Sequence, residues 1–489
     1  MASPTAERRS RRRPTAVRRR RPEVDLRSAR LVLGVAIAVA IAVLLYEARD
    51  TTLFNDEVEL FESLAVGFDA ETIMRPRNGH LLAVSNLIYQ GVFSAFGPDY
   101  IVLRLIGGAG IAALSLLLFA YCRRRVGAWL GLAPAVIVLF LGASWETLLW
   151  PLSVMTFVFA LTAGIGALLM IDRRDGRGDI AACLLLVFAV ACHSVGLPFV
   201  VGVAVMLLWR KRNRGRAWVF LVPLLLWLVW WIWAMQFDDP SALRAANVWL
   251  IPAYAAEALA IVLASVTGLG ATISGEGLNP TVEIETGWGR VLALAAIVGL
   301  AIRITRRRIP IELVATLAIL ATYWTLTALS LGPDRAPDES RYILPGAVLV
   351  FLVVVNALQG IKLPRAATIA VLVVTLVSVS TGIRQLHDGA LFLRDYSVRA
   401  QATASGVEQA TATVPGNYEP SADPNLEGVV PPQFPLSAGR YFDGASEFGS
   451  LAFTSKELAG EPSNAAIAEQ VRIAAISAGA GVDPPEVVP

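Results

Sequence analysis

The sequence predicts an all-α integral membrane protein. It has about eleven transmembrane helices, amphipathic helices on its outer face and a small, partly ordered extracytoplasmic region at the carboxy end. Three observations point there. Of 489 residues, 55% are hydrophobic and 17% charged, with a mean hydropathy of +0.59. Apolar runs repeatedly approach the roughly 20 residues that cross a hydrocarbon core of about 30 Å. Basic clusters fall in every second connection between those runs, as the positive-inside rule requires.

The runs lie at 31–47, 100–121, 128–143, 151–171, 180–193, 195–209, 217–236, 289–304, 311–331, 343–359 and 366–383. The basic connections are Arg123 to Arg125, Arg173 with Arg174 and Arg177, Arg210 to Arg216, Arg303 with Arg306 to Arg308, and Lys362 with Arg365. With the amino terminus in the cytoplasm, all of them fall on the cytoplasmic side. The segment 253–271 is apolar enough to be counted as well, but a crossing there would send Arg303 to Arg308 outward. It is therefore expected to be an interfacial or re-entrant helix. Residues 80–97, whose apolar positions recur at helical spacing but are interrupted by His80, Asn86, Tyr89 and Gln90, suit a helix lying on the outer surface.

The formal charge of +3 conceals an arginine-dense amino tail (Arg8, Arg9, Arg11 to Arg13, Arg18 to Arg21, Arg27, Arg30) and an acidic-leaning carboxy end. Beside a membrane span such a tail sets topology and meets anionic lipid, rather than nucleic acid. No small-residue cleavage site follows the first run, so 31–47 reads as a retained anchor. Cys122, Cys183 and Cys192 sit within or at the edge of apolar runs, an odd number that suits buried hydrophobes better than a disulfide framework. The chain thus divides into a basic cytoplasmic tail (1–30), a polytopic domain (31–383) with outer loops 48–99, 237–288 and 332–342, and an extracytoplasmic region (384–489) whose segment 400–435 reads as linker and whose stretch near 464–478 reads as helix. The cytoplasmic loops are too short to fold a nucleotide-binding domain, and no glycine-rich phosphate loop is present.

Chemistry is then confined to the outer face. Asp56 and Glu57 are adjacent carboxylates just beyond the first span. They could cap a following helix, or, buried together, supply a base of raised pKa. Arg75, Arg77 and His80 follow on the same loop. Glu146 and His193 occupy two short outer turns, and Arg341 with Tyr342 opens the tenth span. Each has an ordinary structural alternative (a cap, a satisfied histidine, a snorkelling arginine), but five separate segments place them on one side of one membrane. One essential carboxylate plus cations suits attack by a hydroxyl on an anomeric carbon when the leaving group is a lipid phosphate. That group departs as an anion and needs cations rather than an acid. Asp56, Glu57 and His80 leave a divalent cation open, although no tight metal spacing exists.

Several short motifs resemble those of the GT-C glycosyltransferases, in particular the polyprenyl-phosphate-mannose protein mannosyltransferases and the lipid A aminoarabinose transferases. They are Asn55-Asp56-Glu57 in the first outer loop, a surface helix running to Gly97, Val102-Leu103-Arg104-Leu105 opening the second span, Tyr121-Cys122-Arg123-Arg124 closing it, and Arg341-Tyr342-Ile343-Leu344-Pro345 opening a late one. Arg77-Asn78-Gly79-His80 and His193-Ser194-Val195-Gly196 depart from the family's Lys-Pro-Pro and Lys-Gly. Carried over by position, the resemblance implies Asp56 as the base or metal-organising acid and Arg341 as a donor-phosphate contact; the residues' own placement on the outer face adds Glu57 as a second catalytic candidate and Tyr342, Arg75 and Arg77 as donor-phosphate candidates. His80, Glu146 and His193 would touch substrate. The partners implied are a polyprenyl-phosphate-linked sugar, a cell-envelope glycan, lipid or protein acceptor, and membrane lipid. Two other classes compete: a flippase or transporter of lipid-linked sugars, and a non-catalytic cell-envelope assembly protein.

Overall fold

The computed structural model describes residues 20–480, apart from 210, 238–242, 270–271, 275–280, 284–285, 333–334 and 432–433. The arginines up to Arg19, Arg210 and the last nine residues of the chain lie outside the described residues. In chain order, α1 (Arg20–Glu47) leads into the first large loop, which folds as α2 (Asp56–Val66), α3 (Ala70–Met74) and α4 (Ala83–Phe96). Next come α5 (Tyr100–Val126), α6 (Ala128–Ile137), α7 (Trp145–Leu149) and α8 (Pro151–Ser153), the last continuing through a π-helical turn into α9 (Phe159–Ile171). Then follow α10 (Gly176–Cys192), α11 (Gly196–Leu208), α12 (Trp218–Ala234) and α13 (Ile251–Thr267). A small antiparallel hairpin of β1 (Thr272–Ser274) and β2 (Thr281–Glu283) precedes α14 (Thr286–Arg306), α15 (Ile311–Leu329), α16 (Ser340–Ala357) and α17 (Arg365–Gln409). The chain ends in α18 (Ala438–Phe448), α19 (Ser455–Gly460) and α20 (Pro462–Ala480).

Each of the eleven expected runs coincides with a helix. Among the described residues nine helices are long and apolar enough to cross a membrane, or ten if a bent pair counts as one span. The bent pair is the expected run 128–143: α6 ends at Ile137, and the helix through Gly142–Leu149 leaves at 43°. Pro134 lies inside α6 and weakens its hydrogen bonding. Beyond the bend, Gly142 touches the backbone of Gly382 so closely that a Cβ would lie 2.0 Å from a carbonyl oxygen, so α17 crosses here backbone to backbone. The helix α11 is short, at 13 residues.

The two ends of the bundle differ in charge. At one end Arg125 donates from Nε to Asn356 Oδ1 at 2.7 Å and pairs with Asp172 at 3.7 Å, Arg303 donates to the carbonyl of Ala357 at 2.9 Å, and Arg216 pairs with Asp179. These are the basic connections, gathered on one side. At the other end Ser144 donates to the carbonyl of Ser340 at 2.7 Å, and Ser194 meets His80 at 2.8 Å. The helix α13 passes the length test for a span, yet both its ends stay near that second end. Just before it, the N–H of Arg244 donates to the carbonyl of Leu329 at 2.8 Å, where α15 finishes. Just after it, Gly268 lies against Ser378 and Thr381 of α17, short of the level where His387 meets Glu47 at the end of α1. The helix α14 then carries Arg303 to the basic end.

One expectation fails. Residues 400–435 are not a linker. The helix α17 continues without a break to Gln409, and the turns after it bury Leu426, Val430 and Phe434. Small residues at Ala400, Ala404 and Gly406 allow close helix contact, and a Cβ on Gly406 would collide with the carbonyl of Ala468 in α20. Alanine, glycine and proline, which suggested flexibility, here let backbones approach. The expected helix near 464–478 is α20.

The carboxy-terminal region is tied to the first loop through α2. Glu62 is buried beneath α18, where Oε1 accepts from the N–H of Ser437 at 2.8 Å and Oε2 lies 3.2 Å from Arg440 Nε. Burial raises its carboxyl to about 7, against the opposing pull of the Ser437 N–H and Arg440. A folded-state value above the unfolded one means the native protein binds the extra proton. Stability from this group is therefore fully present below the unfolded carboxyl range and is lost as pH rises toward about 7. Thermal unfolding of the full chain is expected to show a falling midpoint across that window, and Glu62→Gln is expected to flatten it. An unchanged slope in the variant would assign the pH dependence elsewhere.

Candidate active site

The first loop is held open by contacts that fix its backbone before Asp56. Arg104 of α5 donates to the carbonyl of Thr51 at 2.6 Å and to its hydroxyl at 2.8 Å, so the arginine of the Arg-Leu pair anchors the loop. From α17, Ser397 accepts from the N–H of Thr52 at 3.0 Å and Tyr396 from that of Asn55 at 3.3 Å. Phe54 is clamped edge-on between Trp150, at 5.0 Å, and Tyr396, at 4.6 Å. Asn55 has φ 46° and ψ −116°, and the N–H of Glu57 closes the turn onto the carbonyl of Phe54 at 3.0 Å. This is the first central position of a type II′ turn, where glycine is usual. An asparagine there costs on the order of 1–3 kcal/mol and aims the next residue outward.

That next residue is Asp56. Its Oδ2 accepts from Asn78 Nδ2 at 3.2 Å, and it lines a polar cavity of about 240 Å³ together with Asn55, Asn78, His80, Ser153, Thr156, His193, Arg335, Arg341 and Tyr342. Burial raises the Asp56 carboxyl above its ordinary value, while Arg77 and then Arg341 oppose the shift. A carboxylate of raised basicity, accessible from a cavity and faced by cations, is suited to accept a proton.

Asn78 reaches Asp56 because of a tight turn. Arg77 and His80 exchange backbone hydrogen bonds at 3.1 and 2.9 Å, and the two residues between them, Asn78 and Gly79, both have positive φ (51° and 77°). Asn-Gly with two positive φ angles is the favoured two-residue hairpin turn. The segment that departs from the family's Lys-Pro-Pro therefore has its own local logic. His80 is carried inward onto His193, with ring centroids 4.1 Å apart, and Ser194 contacts its Nδ1 at 2.8 Å. Burial, with Arg335 and Arg341 nearby, lowers His80 to about 3, so it is a neutral polar group at ordinary pH. His193 Nδ1 accepts from the N–H of Val195 at 3.2 Å, so a neutral ring carries its proton on Nε2.

The polar cavity adjoins a second, largely apolar one of about 140 Å³. Asn78, His80, Phe157, His193, Arg335 and Tyr342 line both. Beyond them the walls are Trp227, Trp230, Trp231, Ala234 and Met235 at the end of α12, with Tyr323 and Leu326 of α15.

Of the expected site residues, Asp56, Arg341, Tyr342, His80 and His193 are brought together. Four others are not. Glu57 is fully buried and spends both oxygens on structure. Oε2 accepts from the N–H of Phe54 at 2.9 Å and from Tyr100 at 2.5 Å, and Oε1 from the N–H of Leu152 at 3.2 Å and from Tyr89. It locks the loop to α4, α5 and α8 and does not line the cavity that holds Asp56. Glu146 does not line the cavity. Its N–H donates to Ser340 Oγ at 3.2 Å, and its carboxylate is the foremost negative charge facing Arg341, which makes it the support of that arginine. Arg75 and Arg77 also lie outside this cavity. Arg77 is drawn to the other side of the turn by Glu59 at 3.3 Å and Ser63 at 2.9 Å, and Arg75 stands over the Phe237 ring at 5.2 Å. Sequence reasoning missed Arg335, which donates to the carbonyl of Asn78 at 3.3 Å and lines both cavities. Its only signal was being a cation six residues before Arg341 in the loop 332–342. Among the described residues no three His, Cys, Asp or Glu side chains form a group that could hold a metal ion.

The fold and cavities define a multi-pass helical membrane protein with a polar chamber that holds Asp56 at the end of its bundle and an apolar groove beside it. No family model matches the sequence, and no curated protein does. Among solved structures, the crystal structure of ArnT from Cupriavidus metallidurans bound to undecaprenyl phosphate is similar, with a TM-score of 0.47 and 14% identity, covering 84% of this chain and 87% of that one.

Proposed function

We propose that this chain is a glycosyltransferase that moves a sugar from a polyprenyl monophosphate to a hydroxyl acceptor at the outer face of a plasma membrane, with inversion. The observation that carries the proposal is the joined pair of cavities. A polar chamber holding Asp56, Arg335 and Arg341 opens directly onto an aromatic and aliphatic groove. An amphiphile whose sugar sits in the chamber, whose phosphate lies at the junction and whose tail lies along the groove would satisfy both. The sidedness of the arginines supports the orientation, with the basic end cytoplasmic and the chamber outside.

In the proposed step the acceptor hydroxyl loses its proton to Asp56 as its oxygen bonds to the anomeric carbon. The bond from that carbon to the phosphate oxygen breaks with its electron pair, and polyprenyl phosphate leaves as an anion between Arg335 and Arg341. No acid is required for so stable a leaving group. Neutral His80 and His193 would offer hydrogen bonds without adding charge. A single displacement with one base gives inversion. Divalent cation dependence is left to experiment. A cation would find its protein oxygens at Asp56 rather than in a set with Glu57.

A flippase would draw on ionisable groups along a midplane path. Among the described residues the charged groups of the chamber come from the ends of helices and the loops beside them, which favours chemistry at the membrane edge. Membranes containing the full chain, incubated with a panel of polyprenyl-phosphate sugars, are expected to yield a glycoside and free polyprenyl phosphate. Donors with a shortened polyprenyl chain are expected to be poorer by about tenfold or more, because they leave the groove unfilled. Movement of labelled lipid across the bilayer with no glycoside formed would support the flippase instead.

A further inference from the structure

A third cavity, of about 290 Å³, lies on the far side of the Arg77–His80 turn, at the lower end of the range for small-molecule sites of roughly 300–1,000 Å³. Its walls are Glu59, Ser63 and Val66 of α2, Glu71 and Thr72 of α3, Arg75, Pro76 and Arg77 of the connecting segment, and Arg440 of α18. It shares no lining residue with the chamber that holds Asp56 and Arg341. The turn is the partition between them. Arg77 lines this cavity, while Asn78 and His80 line the other, because the tight turn sends them to opposite sides.

Asp56 belongs to the same partition. On α2, Asp56, Glu59 and Ser63 follow at three- and four-residue spacing and so share one helix face, which runs from the reaction chamber to this cavity. Arg77 bridges the latter two, donating from Nη2 to Ser63 Oγ at 2.9 Å with Nη1 3.3 Å from Glu59. Arg440 reaches in from the carboxy-terminal region, positioned by its contact with Glu62 at 3.2 Å.

The lining identifies a class of ligand. Three guanidinium groups, two carboxylates and two hydroxyls face the space, against only Val66 and Pro76 as apolar residues. Two apolar residues are too few to hold a lipid chain along its length. A sugar with several hydroxyl groups wants donors and acceptors interleaved at nearly balanced charge, and this wall supplies both.

We propose that this cavity binds the end of a hydroxyl-rich glycan, which presents its acceptor hydroxyl to Asp56 from the side opposite the lipid donor. The direction of attack rests on the donor assignment above, but glycan binding does not. Attack from this side puts the incoming oxygen and the departing phosphate on opposite faces of the anomeric carbon. The hydroxyl proton passes to Asp56, the new oxygen–carbon bond forms and the carbon–phosphate-oxygen bond breaks.

The test is direct binding to the full chain in lipid nanodiscs. The probes are fluorescently tagged linear hexose and pentose oligosaccharides, a serine- and threonine-containing peptide, and undecaprenyl phosphate. The wild type is expected to bind at least one oligosaccharide and not the peptide. The double variant Glu71→Gln/Arg75→Gln, whose side chains sit at the exposed rim, is expected to weaken that binding at least tenfold with its thermal midpoint and undecaprenyl phosphate binding unchanged. Arg440→Gln is expected to act in the same direction. No oligosaccharide binding by the wild type, binding of the peptide instead, or equal oligosaccharide affinity in the double variant would overturn the proposal. Oligosaccharide binding without undecaprenyl phosphate binding would leave this site standing and sink the donor assignment.

Discussion

Asp56→Asn is expected to lower sugar transfer by at least about a thousandfold while leaving the amount of protein in the membrane unchanged. Removing a positioned general base typically costs roughly 10²–10⁴ in rate. The amide keeps the shape of the side chain and can still pair with Asn78, which donates from Nδ2 to Asp56 Oδ2 at 3.2 Å in the wild type. Donor binding should survive, because the cations at the junction are untouched. Transfer assayed with equal amounts of wild-type and variant protein decides the matter, and near-normal turnover in the variant would remove Asp56 from the chemistry. The pH profile offers a second view. A base whose carboxyl is raised by burial gives a rate that climbs as it ionises, and His80, held near 3, adds no further limb around neutrality.

Arg341→Ala is expected to reduce kcat/KM for the lipid donor by about a hundredfold, with a much smaller effect on the acceptor. A charge-assisted contact to phosphate at a desolvated site is worth roughly 2–4 kcal/mol, within the range of other transition-state donors. The same variant should also destabilise the fold, because Glu146 loses the cation it faces, and an uncompensated buried charge costs about 3–5 kcal/mol. The double variant Arg341→Ala/Glu146→Gln separates the two effects. Stability should return with the second substitution, and activity should not. Arg341→Lys should recover part of the donor affinity, since a lysine restores charge without the forked geometry. Equal losses toward donor and acceptor in Arg341→Ala would make the residue a structural one.

The spans and the sidedness were legible because hydropathy and arginine placement are strong, additive signals along a membrane chain. The bend at 138–141 was not legible, because it depends on Gly142 meeting Gly382 more than two hundred residues away. The carboxy-terminal region misled for a related reason. Alanine and glycine mark flexible chain and tight helix contact alike, and only the partner helix distinguishes them.

At the site, sequence placed Asp56, Arg341, His80 and His193 at the same end of the bundle and could go no further. Adjacency suggested that Asp56 and Glu57 work as a pair, yet on a helix consecutive residues point about 100° apart. One carboxylate faces the cavity and the other is sealed under Tyr89 and Tyr100. Arg75 and Arg77 were grouped with Arg341 by sidedness alone, and the Asn-Gly turn sorts them into a different cavity. Arg335 carried no pattern at all, since its place at the junction is set by a contact to the Asn78 carbonyl across the fold.

The most direct test of the central claim uses the full chain in nanodiscs with an anomerically defined, isotope-labelled polyprenyl-phosphate sugar and an oligosaccharide acceptor, with products read by NMR. The expected result is one glycoside of inverted anomeric configuration and an equal amount of polyprenyl phosphate, both absent with Asp56→Asn. A retained configuration, or product formation undiminished in that variant, would contradict the account.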